Sequence, residues 1–532
     1  MTNKQPEANI YAHASFDLTA LLSIARAIRQ KNCTCDESQR PKSGSLNWAI
    51  FVVFEDGVEW VFRSPRKAFG LEARTATEAL LSEVATLEYL AKIGCIPIPR
   101  VFSYCSTGKN DIGIPYILMG KATGVPLSTY KWDDDKIHST GPDCEQDPAV
   151  LTFSQKAKIV KQLGEIQAHL SNVRFDKVGS LFLKNGEFVI EKCLYPSLVW
   201  QGRDEFDEQD IPRGPFTDAK SFYVALIRAL FAHAKELPME HHLFHGPVPV
   251  PQEYDNFQEY RTATDRWNDY VVIGLKTEST QNRLDYALVG MSLEDNVPLL
   301  VEKDNDIKCD GFPLCHPDLS CQNIFVDDEL NITCIIDWAF ASSVPPSMLL
   351  VCPGLPHPRD RIQPCLTKHF AEGFIAAKGY DGEKDLHFSD SSIFWTFVRL
   401  VNLDGLQDHV YFSEFMRSCI SQEVPPYIRK LRDREEFKEF ERILLAYEID
   451  GEGPSKDEKN YFSCVGHERF TLSQHLTVMK EIDRDFVADK RLWKWMAQHL
   501  KERDVYMYPT NEDEKRGRKR KINEALQFNL LF

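Results

Sequence analysis

The chain has 532 residues, 43% hydrophobic and 27% charged, enough for several domains at roughly 100–200 residues each. Its 63 Lys plus Arg stand against 79 Asp plus Glu, a formal net charge of −16, which repels phosphate backbones and anionic lipid and argues against nucleic acid and membrane surfaces as partners. No apolar run approaches the ~20 residues that span a bilayer, and Met1 to Ile10 carries no apolar signal core, so the expectation is a soluble, unsecreted chain of the cytoplasm. Fourteen cysteines are scattered along it, and the close pair Cys33 and Cys35 lacks a second pair or a histidine at zinc spacing. They read as small buried hydrophobes in a reducing compartment. His233, His241, His242 and His245 lie near Glu236 and Glu240 without forming His-Glu-x-x-His, and are read as helix-end or loop histidines rather than a zinc site.

In chain order, the Leu, Ile and Ala spacing predicts a helix over Leu18 to Arg29, followed by a polar loop. The β-branched and aromatic runs Trp48–Phe54 and Val58–Arg63 flank Glu55-Asp56-Gly57, which predicts a hairpin. Thr75 and Glu78 have the spacing of a capping box before the helical periodicity of Leu80, Val84, Leu87 and Ala91, and Gly94 marks the helix end. Pro115–Met119 predicts a short strand, and Gly120 to Gly124 a connector. Beyond about residue 150 the pattern is helical, with candidates at 154–170, 218–237, 257–275, 281–301, 425–448 and 472–499. Among them sits one strand pair, Ile324–Val326 and Ile332–Ile336, joined by a turn-rich link.

The chemistry gathers around that pair. His316-Pro-Asp318, then Asn323, then the strand pair ending in Asp337, brings polar side chains to one point because both strands start or finish there. Each residue alone is ordinary, as a cap, a turn or a strand end. Together the spacing is that of magnesium and phosphoryl transfer, with a carbonyl from Asn323 and a carboxylate from Asp337 as hard ligands and Asp318 left to orient a hydroxyl and accept its proton.

This segment, with Trp60–Arg63, Ser82-Glu83, Ile96-Pro-Ile-Pro99, Pro115–Met119 and Val178-Gly-Ser-Leu181, resembles the aminoglycoside phosphotransferase and choline kinase-like family, in particular its fungal members of unassigned substrate. The resemblance covers about residues 44–345. It implies an α+β, bilobal protein-kinase-like fold, with a sheet-rich N-lobe, a mostly helical C-lobe with helical insertions, and ATP and Mg2+ as cofactors. By that resemblance Asp318 is the catalytic aspartate, His316 props the catalytic loop, and Asn323 and Asp337 hold the metal. Val61 lies under the adenine, Arg63 holds the phosphates with Glu83 as its ion-pair partner, Gly44 belongs to the phosphate-covering loop, and Met119 precedes the connector.

The division expected is an N-terminal helix and polar loop (1–43), an N-lobe (44–124), a C-lobe (125–365), a helical region (366–505) and a charged tail (506–532). The activity expected is transfer of the γ-phosphate to a hydroxyl of a small molecule. Arg63 stands where kinases usually carry lysine, Ser43-Gly44-Ser45 falls short of Gly-x-Gly-x-x-Gly, and Gly120-Lys121 replaces a more usual acidic or aromatic residue. These departures support the alternative, a catalytically silent kinase-fold protein that binds nucleotide or a partner. A protein kinase is a third reading, opposed by the lack of Asp-Phe-Gly and Ala-Pro-Glu. The basic run Lys515–Lys521 reads as a nuclear import signal, an anion-binding tail or a plain solvated end.

Overall fold

The computed structural model describes residues 9–44, 46–66, 71–132, 149–236, 280–307, 310–358, 360–379, 388–402, 410–419 and 424–450. The chain forms two compact units, Met1–Arg228 with Val297–Arg399, and Ala229–Asn296 with Leu400–Phe532. The helix candidates at 257–275 and 472–499, the charged tail, the basic run and His241, His242 and His245 lie outside the described residues.

The first unit opens with α1 (Leu18–Arg29), capped by Asp17, whose Oδ1 accepts the Ala20 N–H at 2.9 Å. The strands β1 (Cys33–Thr34), β2 (Lys42–Ser43), β3 (Asn47–Phe54) and β4 (Glu59–Pro65) follow. The Asp-Gly hairpin is present, with Gly57 at φ +80° where only glycine is unstrained. β1 and β2 both pair with β3, which corrects the expected boundary at residue 43. The polar loop completes the N-lobe sheet, and Leu21 and Ala25 of α1 share a core with Trp48, Ile50, Val52, Phe54, Trp60 and Phe62. Period-two alternation therefore gives one face of β3 and β4 to α1 and leaves Val61 and Arg63 on the other.

Next comes α2 (Ala73–Ile93), ending at Gly94 in the left-handed conformation, φ 70°. Its start corrects the expected capping box. The N-cap residue is Glu72, no side chain of its own turn caps it, and Thr75 is buried inside the first turn. β5 (Val101–Cys105) and β6 (Tyr116–Gly120) complete the six-stranded sheet, with order β1-β3-β4-β6-β5 and β2 beside β3.

The connector is pinned to the lower lobe. β7 (Val125–Pro126) pairs with β12 (Ile324–Val326), and Thr333 Oγ1 donates to the Thr123 carbonyl at 2.6 Å. Gly124 has φ +85°, and a Cβ there would sit 2.3 Å from the Val326 carbonyl oxygen. Gly124→Ala therefore combines a strained backbone with a clash, and is expected to cost about 2–4 kcal/mol. A lower urea midpoint at unchanged m-value would show it.

The C-lobe begins with α3 (Phe153–Leu170), which has a capping box that the sequence reading passed over. Gln155 N–H donates to Thr152 Oγ1 and Thr152 N–H to Gln155 Oε1. It crosses the helix Pro364–Lys378 closely, because Gly164 and Gly373 each face backbone where a Cβ would lie 2.0 Å from a carbonyl oxygen.

The expectation of helices with a single strand pair after residue 150 is corrected by an additional five-stranded sheet of order β10-β9-β14-β11-β8. Its strands are β8 (Arg174–Phe175), β9 (Gly179–Lys184), β10 (Glu187–Glu191), β11 (Phe312–Cys315) and β14 (Ser342–Ser343). Asn185 and Gly186, both at positive φ, make the β9–β10 turn. The expected pair β12 and β13 (Ile332–Ile335) is present, in a three-stranded sheet with β7.

The candidate helix 281–301 is two, Thr280–Asp295 and Val297–Asp306, separated at Asn296 just before Pro298. The candidate 425–448 is also two, Val424–Arg432 and Glu435–Asp450. In the second unit Asp295 joins them, accepting from Tyr427 Oη at 2.8 Å and from both terminal nitrogens of Arg434. The expected helical region 366–505 is therefore divided near residue 400, its earlier helices belonging to the first unit. A sheet-rich N-lobe, a connector and a C-lobe built largely of helices make the first unit the α+β bilobal, kinase-like fold expected.

Candidate active site

β11 delivers the chain to His316, Asp318 and Asn323, and β12 and β13 carry it on to Asp337. His316 is 4% exposed. Its Nδ1 accepts the Asp318 N–H at 3.0 Å, so the ring hydrogen is on Nε2, which donates to the Ile336 carbonyl at 3.0 Å. The edge of the ring meets Trp338 with centroids 4.6 Å apart, and Trp338 Nε1 donates to the Ile335 carbonyl. His316 thus fastens the start of the loop to the backbone just before Asp337. Trp338 was not singled out from the sequence, although its place directly after Asp337 was the available signal.

Burial lowers the His316 pKa to about 4, against the opposing hydrogen bond to Ile336 and the Asp337 carboxylate. The ring is neutral when folded and titrates near its ordinary 6.5 when unfolded. Below pH 6.5 the unfolded chain binds more protons, so this stabilisation is complete above pH 6.5 and is lost as the pH falls toward 4. It amounts to at most about 3 kcal/mol. Urea titrations between pH 7 and 4 are expected to show that slope, and His316→Asn to flatten it.

Asn323 Nδ2 donates to both the backbone carbonyl and Oδ2 of Asp318, each at 3.0 Å. Its own carbonyl accepts the Ile336 N–H at 3.0 Å, bringing the Asn323 backbone beside the residue before Asp337. Asp337 is held at φ 61°, a conformation rare for residues other than glycine. Asn323 and Asp337 supply an amide oxygen and a carboxylate, a hard donor set suited to Mg2+, which keeps several waters and needs few protein ligands.

The N-lobe reaches the same point through Arg63. Its Nη2 forms a close ion pair with Glu83 Oε2, and its Nη1 lies 3.3 Å from Asp337 Oδ1. The side chains of Arg63 and Glu83 are 13% and 3% exposed, so the ion pair is buried rather than solvated. Burial opposes the charged guanidinium, but the Glu83 and Asp337 carboxylates outweigh it and hold the Arg63 pKa above its ordinary value. For Glu83, burial together with Asp337 outweighs the pull of Arg63 and raises the carboxyl pKa.

Val61 and Met119 are Cα partners across β4 and β6, and pack with Leu80, Val84 and Ile117. They extend an apolar surface from the strand that holds Arg63. Gly44 lies outside this network. It sits in the turn between β2 and β3, with its N–H donating to the Asn47 carbonyl and its own carbonyl accepting from Arg66 Nη1.

Residues 37–246 match the Phosphotransferase enzyme family. This stretch, less than half of the chain, is similar to that family. The match ends before His316, so the roles of His316, Asp318, Asn323 and Asp337 rest on their spacing and geometry. A subtelomeric hrmA-associated cluster protein of Aspergillus fumigatus is 28% identical over 192 residues, 34% of this chain and 33% of that relative. The Altered inheritance of mitochondria protein 9 of Candida tropicalis, named as mitochondrial, is 34% identical over 158 residues, 29% of this chain and 23% of the relative. The chain thus spans a third or less of the length of these curated relatives.

Two solved structures overlap with this chain at a TM-score of 0.33. A spectinomycin phosphotransferase in complex with ADP and spectinomycin is 15% identical, covering 81% of this chain and 98% of that one. A Plasmodium vivax ethanolamine kinase is 10% identical, covering 75% and 84%. Among the described residues, no helix is long and apolar enough to cross a membrane, no group of three His, Cys, Asp or Glu could hold a metal ion, and no disulfide is formed.

Proposed function

We propose that the chain is an ATP- and magnesium-dependent phosphotransferase that moves the γ-phosphate to a hydroxyl of a small molecule. The observation that carries this reading is the convergence of Arg63, Glu83 and Asp337 from two lobes, beside the Asp318–Asn323 pair. In this reading Asn323 and Asp337 hold Mg2+, which when bound neutralises phosphate charge. Arg63 meets the α- and β-phosphates with a fork of donors, its direction set by Glu83. Asp318, oriented through Asn323 Nδ2, takes the hydroxyl proton through the oxygen that faces the acceptor. Val61 and Met119 offer an apolar surface to the adenine.

The experiment is incubation of the purified chain with γ-labelled ATP, magnesium and a fractionated small-molecule extract. Label is expected in one or a few hydroxyl compounds, above the level given by Asp318→Asn. Bound nucleotide with no such transfer would favour the silent-fold reading, which Arg63 and the single glycine of the β2–β3 turn support. The proposed compartment is the cytoplasm. The relatives named as mitochondrial supply the competing location, and fractionation of tagged protein from intact cells distinguishes the two.

A further inference from the structure

The helix that carries Glu83 is capped from far away in the chain. The N–H of Glu72, at the start of α2, donates to Asp204 Oδ2 at 2.7 Å, across 132 residues. Further along the helix, Glu78 Oε2 lies 2.5 Å from Lys192 Nζ. Both ties come from one stretch, 191–216, between β10 and the helix Ala219–Glu236.

That stretch is braced from within. Arg213, 8% exposed, donates from Nη2 to the carbonyls of Arg203 and Phe206 at 2.7 and 2.9 Å, and its own carbonyl accepts the Cys193 N–H. It is also fastened to the strand that follows Asp337. Leu194 N–H donates to Ser180 Oγ at 2.9 Å, and Ser180 Oγ lies 2.8 Å from Ser342 Oγ on β14. The links form a closed ring, running from Asp337 through β14, Ser180, the 191–216 stretch, Asp204, α2 and Glu83 to Arg63 and back to Asp337.

We propose that the 191–216 stretch is a latch that sets α2 so that Glu83 stays on Arg63, with Asp204 and Lys192 as positioning residues for the nucleotide site. The proposal rests on the nucleotide-site reading above for its consequence, but not for its geometry. Glu83 lies about 16 Å along α2 from Glu72 at 1.5 Å per residue, within one cooperative helical segment whose opening and orientation both depend on its N-terminal ties. Releasing the N-terminal end therefore changes the angle at which Glu83 meets the guanidinium. A site competent in only part of the population binds correspondingly weaker.

Two measurements on the full chain test it. Amide hydrogen exchange without nucleotide is expected to rise about tenfold from Glu72 through Glu83 in Asp204→Ala. It should stay near wild type in Asp204→Asn, whose side-chain oxygen still accepts the Glu72 N–H. A rise confined to the first turn, or no rise, would overturn the latch. Should Asp204→Ala fail to fold, Lys192→Met is read in the same way.

The second measurement is magnesium-ATP affinity in the double variant Asp204→Ala with Lys192→Met. A loss of about tenfold is expected, and it should vanish in a Glu83→Gln background. Persistence of the loss in that background would show an effect that bypasses Glu83, and the positioning role would fall. A wild-type chain that binds no nucleotide would defeat the site reading alone, because the exchange measurement still decides the latch.

Discussion

Asp318→Asn is expected to lower phosphoryl transfer by about 10²–10⁴-fold while leaving magnesium-ATP affinity within about threefold of wild type. The side chain accepts Asn323 Nδ2 at 3.0 Å, and Arg63 is engaged by Glu83 and Asp337. An asparagine keeps the size and can turn its oxygen toward Asn323, so the loop stays in place. What is lost is the proton acceptor. Parallel nucleotide titration and initial-rate measurements separate the two effects, and a variant that transfers phosphate at the parental rate would remove Asp318 from the reaction.

Arg63→Ala is expected to be the most destabilising change in the site, at about 3–5 kcal/mol, because it leaves the 3%-exposed Glu83 carboxylate without its counter-charge. An exposed pair would contribute at most about 1 kcal/mol. The deficit should depend on pH with a definite sign. Burial already raises the Glu83 carboxyl pKa, and loss of the guanidinium raises it further. A carboxyl with a folded pKa above its unfolded value destabilises the fold as pH rises through that range. The variant should therefore be weakest at neutral pH and recover part of its stability on acidification toward 4.5. In the double-mutant cycle with Glu83→Gln, the losses in both stability and ATP affinity should fall well short of additive. Additive, negligible effects on affinity would show that Arg63 does not hold the phosphates.

The candidate site's loop from His316 to Asn323 was legible in the sequence because its geometry is local. His316, Asp318 and Asn323 lie within eight residues, and one hairpin brings Asp337 back to them, so spacing alone implied their proximity. Arg63 and Val61 could be placed on one face by strand periodicity, and α1, the β3–β4 hairpin and the Gly94 stop followed from composition and turn chemistry. The start of α2 was misread because its cap, Asp204, comes from a distant part of the chain, and the nearby Thr75 and Glu78 imitate a local signal. The C-lobe sheet was passed over because three of its strands have four residues or fewer, too short for a period to emerge. The hairpin Gly179–Glu191 did carry a signal, in Asn185-Gly186 between two apolar runs. The breaks in the later helices lie at Asn296 before Pro298 and between Arg432 and Glu435, where apolar spacing continues across interruptions of one or two residues.

The central claim is that Asn323 and Asp337 hold a magnesium nucleotide against Arg63. Calorimetric titration of ATP into the wild-type chain and into Asp337→Ala, each with magnesium and with chelator, tests it most directly. The account predicts saturable binding for wild type only when magnesium is present, with thermal unfolding raised by about 2.7 kcal/mol at a hundredfold excess over Kd, and no metal-dependent binding in the variant. Binding that is indifferent to chelator and to Asp337→Ala, or no binding at millimolar ATP, would contradict it.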